Sequence, residues 1–211
     1  MIPVQDLPFF ILAALILVIS PGPNMIYLLS KSITQGKKSG LISLMGVVCG
    51  FMFHIIMVSF GLTAVLLAVP FAYTVLKTLG TVYLLYLAYQ AIKPNSRNIF
   101  DVDKNRTHDG PKKLFTIGFL TNVLNPKVAV FYLSFFPQFI KPEYGSVFTQ
   151  SLELGVIQVF VSFSVNFLIV LTAAKVALFF NNNPAWIKVQ KCFMAGVLTY
   201  LAVKMALSKA K

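Results

Sequence analysis

Acidic residues are scarce in this chain. Its 211 residues hold six Asp and Glu against 18 Lys and Arg, and charged residues amount to 11%. A soluble domain carries about 25% charge, so a soluble globular fold is excluded. Cysteine is scarce as well. Cys49 and Cys192 both lie in apolar runs and no C-x-x-C occurs, which leaves neither a thiol redox motif nor a metal-thiolate site. There is no P-loop, no G-x-G-x-x-G and no H-E-x-x-H, and no Cys/His/Asp cluster has metal-ligand spacing. No catalytic residue, cofactor or metal is therefore expected. A basic segment ahead of the first apolar stretch is missing too, and that stretch runs on to Leu29, so a cleaved signal peptide is not expected.

What the chain has in abundance is apolar surface. It is 57% hydrophobic, with a mean hydropathy of +0.80. This composition indicates an integral membrane protein whose main partner is the lipid bilayer. The net charge of +12 suggests nucleic acid only until its distribution is seen. The lysines and arginines cluster between apolar runs, where they set topology, so no nucleic acid is expected.

Six spans are readable, at about 7–30, 40–68, 71–92, 114–140, 147–176 and 186–207. A polar loop, 93–113, divides two halves of one membrane domain, a first of about 1–92 and a second of about 114–211. Lys31, Lys37 and Lys38 mark the first connection, Lys93 to Lys113 the third, and Lys175, Lys188 and Lys191 flank the fifth. The positive-inside rule puts these in the cytoplasm and both termini outside. Placing Pro21 on Pro126 also brings Tyr27-Leu28 onto Tyr132-Leu133. Three spans per half is an odd number, so the halves have opposite orientation: an inverted repeat. The expected fold is all-α, six transmembrane helices in two inverted three-helix repeats.

Two of those helices are broken near the midplane. Ser20-Pro21-Gly22-Pro23-Asn24 interrupts the first span and Asn125-Pro126-Lys127 the fourth. Proline removes a backbone donor and disrupts the i→i−4 ladder. In lipid such a break survives only where it faces protein or a water-filled cavity. Proline at a first helical position costs no hydrogen bond, and Asn125 before Pro126 is a good N-cap. The half-helix that opens there, like the one opening at Gly22-Pro23 with Asn24 just inside, directs a positive dipole end and orphan N–H groups at whatever lies between. A carboxylate suits that place. The alternative is a pair of kinks that only shape the bundle.

Other polar residues sit on helical faces. Lys127 lies deep in the membrane, where it either strengthens an anion site or caps carbonyls freed by the first break. Gly46, Gly50 and His54 share one face of the second span. The glycines allow close helix contact, within one protomer or between two copies of a homo-oligomer. His54 is a candidate for proton coupling, with a neutral interhelical hydrogen bond as the alternative. Gln158, Ser162 and Asn166 form a stripe on the fifth span, suited to substrate contact or to helix–helix hydrogen bonding. Tyr27 and Tyr132 either line a cavity or pack.

Pro21-Gly22-Pro23-Asn24, the Gly46/Gly50/His54 face with Gly61-Leu62, Lys77 with Gly80 and Tyr83-Leu84, Gly118-Phe119, Asn125-Pro126-Lys127 and Phe135-Phe136-Pro137-Gln138-Phe139 together resemble the LysE/RhtB family of amino-acid exporters. The resemblance implies a bacterial inner-membrane exporter driven by an ion gradient, with an amino acid as cargo. Other small solutes are handled by the wider superfamily, and an intramembrane enzyme or a channel subunit are the readings from other classes. None of the six carboxylates is central by the span assignment, which favours a neutral amino acid over a basic one. The binding set expected is Pro21, Gly22, Pro23, Asn24, Tyr27, Asn125, Pro126, Lys127, Gln158, Ser162 and Asn166, with a proton as coupling ion on His54.

Overall fold

The computed structural model describes residues 2–20, 22–68, 70–93 and 109–207. All regular structure among them is helical. Helix α1 is Leu7–Ile19, α2 is Pro23–Ala68 and α3 is Pro70–Ile92. After residues 94–108, which lie outside the described set, come α4 (Pro111–Val123), α5 (Pro126–Val130), α6 (Val147–Asn182) and α7 (Pro184–Leu207).

Helix α2 is one element only in name. Gly36 has φ 82° and ψ 169°, a backbone conformation open to glycine and not to residues with a Cβ. Ser43 Oγ donates to Tyr27 Oη at 3.2 Å. Sixteen residues of straight helix would separate those groups by about 24 Å, so the chain doubles back at Gly36. The first span therefore continues to residue 35 and the second begins at 37. The sequence reading had placed a loop over roughly 31–39, where the structure has two helices meeting at a single residue.

Residues 37–68 form the central rod. Helix α4 lies along it in the same sense, Gly118 against Ser43 and Asn122 against Gly50. A Cβ at Gly46 would sit 2.9 Å from the Phe119 nitrogen, so the two backbones approach as closely as glycine permits. Gly46 and Gly50 thus face another helix of the same chain. Helix α6 packs on the rod in the opposite sense, with Gly155 against Ile55 and Val170 against Gly40. Helices α3 and α7 pack mainly on each other.

The distribution of side chains is that of a protein whose solvent is apolar. Phe60, Val156, Phe160 and Leu168 are exposed, while Ser43, Asn122, Gln158 and Ser162 are fully buried. By length and apolar composition Pro23–Gly61 and Val147–Lys175 are suited to a membrane, and the bent pair Pro111–Val123 and Lys127–Phe139 makes a third candidate. The first of these is the hairpin folded at Gly36.

The fourth span departs from expectation past its break. A continuous half-helix to Ile140 was expected. Only Pro126–Val130 is α-helical; Phe131–Phe135 is a π turn and Phe136–Phe139 a 3₁₀ turn containing Pro137. Pro137 cannot donate to the ladder. Phe10 packs tilted against Phe131 and edge-on against Phe136 and Phe139, with centroids 5.2–6.1 Å apart.

Candidate functional site: two reciprocally capped helix breaks

Each proline removes the donor that would have served the carbonyl four residues earlier. At the first break Pro21 leaves Leu17 O without a partner. Lys127 supplies it: Nζ donates to Leu17 O at 2.9 Å and to Ser20 O at 2.7 Å. The lysine is buried. Gly22 makes room for it, since a Cβ there would lie 3.0 Å from Nζ and 3.2 Å from Cε. The second half-helix opens with Ile26 N donating to Gly22 O at 3.0 Å. Pro21 itself lies outside the described residues, and Pro23 is exposed at the turn.

At the second break Pro126 leaves Asn122 O without its ladder donor. His54 Nε2 reaches it at 3.3 Å and Asn125 N at 3.0 Å. A carbonyl only accepts, so Nε2 carries the hydrogen and Nδ1 is the open nitrogen of the ring. Asn125 caps α5 through Oδ1, which accepts from Lys127 N at 3.0 Å. The His54 ring lies flat on Tyr132, centroids 5.3 Å apart and planes 7° apart.

The capping is reciprocal. Lys127 of the second half closes the break in the first, and His54 of the first half closes the break in the second. Around these caps lie buried polar atoms that no described residue satisfies: Asn24 Oδ1, Asn125 Nδ2, both amide atoms of Asn122 and the Tyr132 hydroxyl. Unpaired buried polar groups are rare in folded proteins. Four residues with such atoms at the two breaks mark a polar patch inside an apolar bundle.

Gln158, Ser162 and Asn166 are buried on α6 between Gly155 and Val170, on the face that meets the central rod. Gln158 Nε2 donates to Ser162 Oγ at 2.9 Å and Asn166 Nδ2 to Ser162 O at 2.8 Å, while Gln158 Oε1 is unpartnered. Tyr27 is elsewhere. Its hydroxyl donates to Leu114 O at 2.7 Å and accepts from Ser43, so it ties α2 to α4 rather than lining the breaks.

Two features escaped the sequence reading. Asn122, an asparagine one turn before the second break, is signalled in the sequence only as a polar residue in an apolar run. A charged cluster at one end of the bundle was not readable at all. There Asp109 pairs with Lys31 and, at 2.6 Å, with Lys113. Gln35 Nε2 donates to Asp109 Oδ2 at 3.2 Å, and Asp109 N donates to Gln35 Oε1 at 3.0 Å. The bond to Lys113 first, then that to Lys31, holds the Asp109 carboxyl well below the usual carboxylate range. At the other end Lys141 pairs with Asp6 at 2.7 Å, which raises the Lys141 ammonium above its ordinary value.

The sequence profile of the LysE type translocator family matches residues 15–209. The chain belongs to the LysE type translocator family. It is 30% identical over 179 residues to a homoserine/homoserine lactone efflux protein of Salmonella typhimurium, covering 85% of this chain and 82% of that one. It is 28% identical over 140 residues to an uncharacterised membrane protein of Bacillus subtilis, covering 62% and 66% of the two chains. With another from Pseudomonas aeruginosa it shares 27% over 183 residues, 85% of each chain. No solved structure matches. As a LysE translocator the chain is an efflux transporter of bacterial membrane type.

Proposed function

We propose that this chain exports a neutral amino acid from the cytoplasm across the bacterial inner membrane by proton antiport. The observation that carries the reading is the reciprocal pair of capped breaks, with buried polar atoms left unsatisfied at both. Discontinuous helices in corresponding places of two halves are where transporters bind their cargo. The cargo carboxylate meets the N-terminal end of the half-helix at Asn125, assisted by the third donor of Lys127. The ammonium meets Asn24 Oδ1. Gln158, Ser162 and Asn166 complete the polar wall.

Neutral cargo follows from where the carboxylates are. Asp6, Asp109, Glu143 and Glu153 stand at helix ends or turns, and a second buried positive charge would need one of them in the interior. The Salmonella relative, named for homoserine and its lactone, agrees with a neutral cargo. His54 takes the coupling proton on Nδ1, the nitrogen that the Asn122 carbonyl does not occupy.

Six crossings in two inverted repeats are supported by the helix pairing. The rod 37–68 runs against its counterpart α6, and α3 pairs with its counterpart α7. The Asp109 end is cytoplasmic by the lysine distribution and is tied shut by its ion pairs. The Asp6 end holds an open cleft of about 470 Å³ lined by Asp6, Phe9, Phe135, Gln138 and Phe139 among others. Outward-open geometry is the reading these ends support. Accumulation of labelled amino acids in energised inside-out vesicles, abolished by an uncoupler, is the expected result. Equal movement with and without a proton gradient would defeat antiport, and a preference for lysine or arginine would defeat neutral cargo.

A further inference from the structure

Aligning the halves through Pro21 and Pro126 gives each break an internal control. Asn122 then corresponds to Leu17, and Tyr132 to Tyr27. The backbone role is the same at both places, because Leu17 O and Asn122 O are the carbonyls orphaned by the two prolines. The side chains are not the same. A leucine suffices ahead of the first break, so the fold has no need of a carboxamide there. Tyr27 has its hydroxyl bonded to Leu114 O and Ser43. The Tyr132 hydroxyl has no partner among the described residues, and neither has either amide atom of Asn122.

Both surplus groups are fully buried and both adjoin His54, Asn122 through its carbonyl and Tyr132 through the ring stack. Gly50 is what admits the Asn122 carboxamide. A Cβ on it would come within 2.6–2.9 Å of the Asn122 side chain. Asn122 and Tyr132 therefore hold donor and acceptor capacity that Leu17 and Tyr27 do not offer and that no contact among the described residues uses.

We infer that Asn122 and Tyr132 form the subsite that reads the cargo's side chain, selecting a hydroxyl-bearing amino acid over an apolar one of the same size. This rests on the exporter reading and sharpens it. A carboxamide both donates and accepts, and a hydroxyl satisfies both at once. An isosteric methyl group would leave the buried amide and phenol unpaired. A site built to hydrogen-bond a substrate hydroxyl rejects the analogue that lacks it far more strongly than an apolar pocket rejects an added hydroxyl.

Threonine and valine are the discriminating pair, because they differ by hydroxyl against methyl. Transport of each is measured in energised inside-out vesicles carrying the wild-type protein, Asn122→Leu or Tyr132→Phe. The wild type is expected to move threonine at least about tenfold faster than valine. Asn122→Leu should lower the threonine-to-valine ratio at least about tenfold, and Tyr132→Phe, which deletes one oxygen, by roughly three- to tenfold. A ratio unchanged in both variants, or a wild type that moves the two equally, overturns the subsite. If Asn122→Leu fails to reach the membrane, the Tyr132→Phe ratio decides alone. A wild type that moves neither these nor any other amino acid overturns the exporter reading itself.

Discussion

The two breaks begin from the same defect and repair it with different chemistry. In each, a proline strips the donor from a carbonyl one turn back. At the first, an ammonium fills the gap: Lys127 reaches across and bonds Leu17 O and Ser20 O. At the second an imidazole fills it, with Asn122 O accepting from His54 Nε2. A lysine so placed has all its polar capacity in one point and serves as a fixed cap. A histidine uses one nitrogen for the cap and keeps the other for a proton. On the proposed mechanism the first break is a structural cap, and the second both meets the cargo carboxylate and carries the coupling proton. Because each cap comes from the opposite half, moving one half against the other must disturb both breaks together.

The comparison breaks most visibly at Lys127. Lys127→Met should leave two buried carbonyls without donors, at about 1–3 kcal/mol each, and should abolish efflux. Stability in detergent and vesicle transport check this, and near-normal values for both would show that Lys127 is no cap. Next comes Pro126→Ala, which returns a donor to Asn122 O and so competes with His54. Efflux should be lost while the protein still inserts, as it should for Asn125→Leu. Normal efflux in either well-expressed variant would reduce the second break to a simple kink.

His54→Gln sharpens the contrast. A glutamine amide can still donate to Asn122 O, so the fold should survive and downhill exchange persist, whereas gradient-driven efflux should fall by an order of magnitude or more. If gradient-driven efflux is retained in this variant, the coupling proton lies elsewhere.

The smallest effect concerns the end cluster outside the span. Asp109 is held below its ordinary range, so its contribution is fully present above an unfolded pKa of about 3.9. It is lost only as pH falls through the lower folded value. The stability difference between wild type and Asp109→Asn should therefore be flat near neutral pH and shrink below about pH 4. A difference that already vanishes between pH 7 and 5 would mean that Lys31 and Lys113 do not hold the carboxylate.

Much of the first break was legible because proline and glycine act locally. Pro21-Gly22-Pro23 and Asn125-Pro126 announce interrupted helices whatever surrounds them. Asn183, set before Pro184, is a break legible for the same reason, and it alone separates α6 from α7. Lys127 was readable as buried, though the choice between anion site and carbonyl cap stayed open until Leu17 and Ser20 were brought to it. The reversal at Gly36 went unread because a lone glycine next to Lys37-Lys38 looks the same in a loop and in a one-residue hairpin. The π and 3₁₀ turns over 131–139 went unread because a run of aromatics carries no periodic signal that separates them from α-helix.

The sequence by itself determined the solvent of this protein, the number of apolar segments, the two sites where helices must break and the absence of acidic residues from their middles. These follow from composition and from backbone chemistry, which are properties of single residues and near neighbours. Only the tertiary structure decided which side chain closes each break. Leu17 and Lys127 are 110 positions apart, and His54 and Asn122 are 68 apart. A carbonyl orphaned in an apolar interior takes whichever donor the packing of helices sets beside it, and that packing is fixed by the close glycine contacts of α2 with α4 and α6. The same packing leaves Asn122 and Tyr132 polar and unpaired where Leu17 and Tyr27 are not, a difference that no stretch of sequence read alone contains.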